Sequence, residues 1–268
     1  EAMALHGLAE YAHFFDDIRR KKANTLSEKE EMLMALASGV TGGAYEIFSI
    51  FSDADIKFPS VEGEDGETIE MSHGRFYAAL YSKDADYRER AYKAFYKPFI
   101  DYANTFSVIF NNNLKGKIFN ARARNFGSSL EAALHANNIP VAVYDNLIST
   151  VSENLAPMHR WAEIKRRMLK KEKIHPFDSY VTIFDNSQVK KYSWEEARKL
   201  LNASLLLMGD EYLQALNRAF DNRWIDVYET AGKRSGAYSS GCTYGTHPFV
   251  LMNFTGLLND VFTLAHEM

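Results

Sequence analysis

Near the end of the chain, Leu264-Ala265-His266-Glu267-Met268 sets an imidazole beside a carboxylate. These are the first letters of a possible His-Glu-x-x-His pattern. In it, two histidines four residues apart on one helix face share a Zn²⁺, and the glutamate beside the first takes a proton from the metal-bound water. Only half of that pattern is present, and a lone His-Glu pair also occurs in ordinary helices. On that plainer reading His266 is a satisfied polar residue at the edge of a packed helix. What the neighbouring elements do therefore decides the meaning of the pair.

Pro248-Phe249-Val250-Leu251-Met252-Asn253-Phe254 is a short apolar run between turn-forming residues and predicts a buried strand. A helix should follow, because Leu257, Leu258, Val261, Phe262 and Ala265 fall on one helical face, with Thr255 or Asn259 as N-cap. Upstream, Gly236-Ala237-Tyr238-Ser239-Ser240 combines small side chains with one aromatic, which suits either a loop or a sheet edge that another backbone approaches. As an edge, Gly236, Ala237 and Tyr238 become candidate substrate-binding residues, since a peptide can add to a free strand through main-chain hydrogen bonds. His247, preceding Pro248 at the strand start, is either a substrate contact or a structural residue.

Other candidates read more plainly. His6, Glu10 and His13, and likewise His159 and Glu163, have helical spacing that could hold a metal, but such residues usually form a solvated face. Cys242 is the only cysteine, so no internal disulfide forms; this favours a reducing, cytoplasmic compartment and a small packed thiol.

With 46% hydrophobic and 13% aromatic content, 268 residues can bury a sizeable core. The net charge is -4, and the basic clusters Arg19-Arg20-Lys21-Lys22 and Arg166 to Lys173 sit beside acidic residues, which argues against a nucleic-acid partner. The longest stretch without Asp, Glu, Lys or Arg, 235–259, carries too many polar residues to span a bilayer, so no membrane partner is expected.

Capping boxes at Ser27/Glu30, Ser128/Glu131 and Ser193/Glu196 mark three helix starts. Helical periods run over 5–20, 28–51, 87–120, 146–169 and 194–220. Between Ile56 and Met71 the pattern becomes a β-hairpin with an acidic, glycine-containing tip. It marks the boundary between an N-terminal helical domain, 1–70, and a catalytic domain, 71–268. Phe177 to Phe184 reads as a further strand.

Several of these blocks resemble oligoendopeptidase F, of the thimet-oligopeptidase-like zinc metallopeptidases. They are 224–228, 232–239, His247 to Phe254 and Thr263 to Glu267, preceded in family order by 122–124, 132–140 and 192–197. The resemblance implies a mainly α, multi-helix, two-lobed zincin-type metallopeptidase with a small β-sheet beside the zinc helix. It implies one Zn²⁺ per complete active site, His266 as a zinc ligand, Glu267 as the general base, and short peptides as substrates in a channel too narrow for folded proteins. The family's second histidine and more distant glutamate ligand would lie beyond Met268, so the chain is expected to carry part of an active site and to be inactive alone. The alternative is a helical scaffold, or a catalytically dead homologue, that binds peptides without cutting them.

Overall fold

The computed structural model describes residues 7–184, 190–241 and 243–268. His6 and Cys242 lie outside them. The chain is mainly helical, in the order α1 (Ala12–Lys21), α2 (Glu28–Ile50), β1 (Ser60–Glu62), β2 (Thr68–Glu70), α3 (His73–Leu80), α4 (Ala85–Asp101), α5 (Ala103–Ala123), α6 (Ser129–His135), α7 (Val141–Glu153) and α8 (Ala156–Met168). Then follow α9 (Trp194–Ser204), α10 (Asp210–Asp221), β3 (Ile225–Asp226), β4 (Tyr238–Ser240), β5 (Phe249–Leu251) and α11 (Leu258–Glu267). A π-helical turn, Phe51–Asp55, continues α2.

Local chemistry sets the breaks. The hairpin is present, with β1 and β2 antiparallel and Val61 opposite Ile69. Ser193 and Glu196 cap α9 reciprocally, whereas at α6 the Glu131 carboxylate accepts from Gly127 N while its own N–H donates to Ser128 Oγ. The helical period over 87–120 divides at Tyr102 into α4 and α5, and the one over 146–169 into α7, which already starts at Val141, and α8. The period over 194–220 divides at Gly209, whose φ of +89° leaves the helical region at little cost to glycine.

One expected element is absent: residues 179–184 form no strand, and Pro176–Asp178 is a 3₁₀ turn. The buried residues there, Phe177 and Val181, are four apart, and between them Asp178 is fully buried. Its carboxylate accepts from Arg88 Nη2 (2.6 Å), Lys171 Nζ (2.7 Å) and His175 N (3.0 Å). A buried side chain held from three directions fixes a turn where apolar alternation suggested a strand.

The chain divides into two compact units, each drawn from two stretches. Unit 1 comprises 1–48 and 104–159. Its core is thin, with Ile109 and Ala121 buried on α5, and Gly116 lies where an added Cβ would stand 3.1 Å from Thr41 O of α2. Polar links join its elements: Arg124 grips Glu31 with two bonds of 2.7 and 2.8 Å, Asn24 donates to Arg124 O, and Arg20 donates to His135 O. The Arg124 guanidinium pulls the Glu31 carboxyl down to about 2. The helix over 28–55 is long and apolar enough, by length and composition, to cross a bilayer. A search for stretches wholly free of charge passes over it, because it contains Glu46 and Asp53.

Unit 2 comprises 49–103 and 160–268. One of its cores packs Met71, Ala79, Tyr87 and Ala91 under the hairpin, and a second joins Phe76, Leu80, Phe95 and Phe177. The third, formed by α9, α10, α11 and the three-stranded sheet, supports the site described below.

Arg88 is 2% exposed, and Lys165 is also buried, its Nζ donating to Ser179 O and its pKa lowered by burial. Burial raises the Asp178 carboxyl, but the bonds from Lys171, Arg88 and His175 N outweigh that and leave it below the usual range. Replacing Asp178→Asn strands these cations in the interior and should destabilise unit 2 by about 3–5 kcal/mol in denaturant unfolding. A folded pKa below the unfolded one means that the stability Asp178 contributes is present above the ordinary aspartate range and lost as pH falls through the folded value. Unfolding free energies measured at descending pH should therefore lose that limb in the Asn variant.

Candidate active site

The three-stranded sheet has the order β3-β5-β4. β3 and β5 are parallel, with Ile225 opposite Val250; β4 and β5 are antiparallel, with Tyr238 opposite Leu251 and Ser240 opposite Phe249. The β-branched, apolar centre of β5 takes the buried position, so β4 is an edge whose outer main chain is unpaired among the described residues. Across β5, α11 buries Val261 and Leu264 against Leu201 of α9, Leu216 of α10, Ile225, Val250 and Met252.

The start of α11 is held by a carboxylate rather than by Thr255 or Asn259. Leu257 is the N-cap, and Asp260 accepts from Leu257 N (3.0 Å), Thr255 N (2.8 Å) and Thr255 Oγ1 (2.8 Å). Gly256 makes the approach possible, at φ +87° and with Tyr192 O 2.9 Å from where a Cβ would stand. At the far end Tyr212 Oη donates to Met268 O at 2.8 Å.

The chain entering β4 is pinned just as closely. Asn253 Nδ2 donates to Arg234 O (2.9 Å) and Gly236 O (2.8 Å), with Gly236 at φ +84°. Lys233 Nζ donates to Asp226 O and Tyr228 O, and the Glu229 carboxylate accepts from Ser72 Oγ (2.8 Å) and Gly74 N (3.2 Å) at the start of α3.

These anchors surround a cavity of about 530 Å³ in unit 2. Gly236 and Ala237 line it beside β4, Asn259, Asp260 and Thr263 line it from α11, and Tyr77, Tyr81 and Tyr180 form an aromatic wall in which Tyr180 lies 5.8 and 5.5 Å from the other two rings. Asn259, Thr263 and His266 are spaced i, i+4, i+7, and Glu267 is four residues after Thr263. The helix face that lines the cavity thus continues into His266, which is exposed, and Glu267, which is half-buried.

The other sequence candidates fall elsewhere. Tyr238 opens β4, is 43% exposed and is not in the cavity lining. His247 stacks on Trp224 at 4.7 Å with 4° between the planes and lies 4.5 Å from the Phe249 ring, its Nδ1 2.7 Å from Pro248 O. It is held by its neighbours outside the cavity. His73, also in the lining, carried no sequence signal; burial lowers its pKa, opposed by Asp53 and Glu229. Asn253 and Asp260 were legible only as polar residues interrupting apolar patterns.

Among the described residues no three His, Cys, Asp or Glu side chains come together in a group that could hold a metal ion. His266 is the single histidine on the cavity-lining face of α11, and the described residues do not complete a zinc site.

Comparison with known proteins finds two matching family models. Residues 78–268 match the family model described as Peptidase family M3, and residues 1–58 match the one described as Oligopeptidase F. The chain is 40% identical to Oligopeptidase PepF of Bacillus subtilis over 96% of its length and 38% of that protein's. It is 37% identical to Group B oligopeptidase PepB of Streptococcus agalactiae over 97% of its length and 43% of that protein's. The crystal structure of oligoendopeptidase-F from Enterococcus faecium superposes with a TM-score of 0.64 at 33% identity, covering 81% of this chain and 40% of that one. PZ peptidase A shares the fold, with a TM-score of 0.76 at 19% identity over 97% of this chain and 45% of that one.

Asp260 anchors the cavity-lining helix, which gives a test. Asp260→Ala should cost about 0.5–2 kcal/mol, the usual range for losing a helix-start acceptor, and should speed amide hydrogen exchange at the first turn of α11. Unchanged stability and exchange would mean that core packing alone sets this helix.

Proposed function

This chain belongs to peptidase family M3 and within it to the oligoendopeptidase F group, and on that premise we propose that it is part of a metal-dependent endopeptidase that hydrolyses short peptides. The chain spans only about two fifths of its curated relatives, 38% and 43% of the two compared above. The observation that carries the reading is that one face of α11 both lines the cavity beside the free edge of β4 and continues into His266 and Glu267.

In this reading a peptide lies along the outer main chain of β4, taking hydrogen bonds there, with Gly236 and Ala237 small enough to admit it. Glu267 accepts the proton of the water that attacks the scissile carbonyl and delivers it to the leaving amine. His266 is proposed as one ligand of a Zn²⁺ whose remaining ligands belong to the part of the family's length that this chain does not span. A cytoplasmic location accords with the single cysteine. The scaffold alternative keeps the cavity and drops Glu267 from any chemical role.

Two substitutions in a full-length protein carrying this segment separate these readings. Glu267→Gln preserves shape and leaves His266 in place, so kcat should fall by about 10²–10⁴ with peptide affinity retained. Near-normal turnover would remove Glu267 from the reaction. Ala237→Val should push the bound backbone outward and lower kcat/KM at least about tenfold at unchanged fold stability, since a misplacement of about 1 Å can cost on the order of 10²-fold. No change in kcat/KM would take Gly236, Ala237 and Tyr238 out of the binding site.

A further inference from the structure

A second cavity, of about 210 Å³, lies in unit 2 between the π-helical turn Phe51–Asp55, the start of α3 and the loop 229–235. It shares His73, Ser235 and Asn253 with the cavity beside β4, so the two adjoin.

Its chemistry differs from that of the first. Ser52 lines it at 8% exposure with an Oγ that has no hydrogen-bond partner, and the buried His73 Nε2 has none either. Asp53 and Glu229 line it as half-buried carboxylates, and among the described residues neither forms an ion pair. Three cations line the same cavity and turn to other partners: Lys233 to Asp226 O, Tyr228 O and the Asp226 carboxylate (3.0 Å), Lys57 to Ala54 O, and Arg75 to Glu70 O. Lys57 and Arg75 are moreover exposed. Unpartnered buried polar atoms are costly, and a half-buried carboxylate that accepts only from neutral donors, as Asp53 does from Ser49 and Ser235 and Glu229 from Ser72 and Gly74, favours a cation. Burial lowers the His73 pKa, and a neutral imidazole ring offers one nitrogen lone pair. A hydroxyl oxygen, an imidazole lone pair and two carboxylates together match a small group with several N–H donors.

We propose that this second cavity is a subsite for a primary ammonium group carried by a peptide lying in the cavity beside β4. The proposal rests on the peptide-binding reading of that first cavity but not on hydrolysis. The ammonium can be the peptide's own α-amino group or a lysine side chain, and acetylation distinguishes the two.

The test is calorimetric binding of Ala-Ala-Phe-Ala-Ala-amide to the chain in three forms: with a free amino terminus, N-acetylated, and N-acetylated with one alanine replaced by lysine. The free-amine or the lysine peptide should bind at least tenfold tighter than the acetylated alanine peptide, and which of them does so identifies the source. Asp53→Asn should abolish that preference and leave the affinity of the acetylated alanine peptide unchanged. Ser52→Ala, which removes one oxygen from a buried site, should weaken the preference while keeping the thermal midpoint within a few degrees. Equal affinities for all three peptides, no binding of the two amine peptides, or a preference that survives both substitutions would overturn the proposal. Hydrolysis by a full-length protein without an ammonium preference removes the subsite alone, whereas a preference in a full-length protein that cuts nothing removes the peptidase reading alone.

Discussion

A helix of ten residues has one face to bury and one to offer, and the burial of Val261 and Leu264 of α11 decides which is which. Those two side chains, packed on Leu201, Leu216, Ile225 and Val250, set the rotation of the helix about its axis. Asn259, Thr263 and His266 then lie on another face because the helical period leaves them no other place. The same burial brings α11 against β5, which holds β4 at the sheet edge. Asp260 and Asn253 refine the arrangement, the first fixing where the helix begins and the second the loop that enters β4.

How much of this the sequence carried depended on the range of the interaction. Short-range signals were legible: the apolar run around Val250, the period from Leu257 to Ala265, the Ser193/Glu196 cap and the hairpin around Gly63 all rest on neighbours within a few residues. The aromatic wall was not, because Tyr77, Tyr81 and Tyr180 come together only when segments a hundred residues apart meet. The expected strand over 177–184 failed for the same reason, since Arg88, ninety residues upstream, holds Asp178 in a turn. Helix ends were misplaced where a single backbone conformation intervened, as at Gly209.

Buried charge and thin packing mark the two units differently. Unit 2 surrounds Asp178 with cations, an arrangement that punishes loss of one partner more than it rewards the set. Unit 1 relies on the half-buried Arg124–Glu31 pair and on close backbone approach at Gly116, interactions of modest individual worth.

The way the units share the chain also bears on synthesis. The first stretch of unit 1 ends at Phe48, and the second runs only from Asn104 to His159. At a translation rate of about 5–20 residues per second, its first stretch waits roughly 5–20 s for the second to be made. During that interval α2 must carry the face bearing Thr41 and Phe48, which meet Gly116 and Phe106, without α5 beside it. That interval closes before the segment bearing His266 has been polymerised.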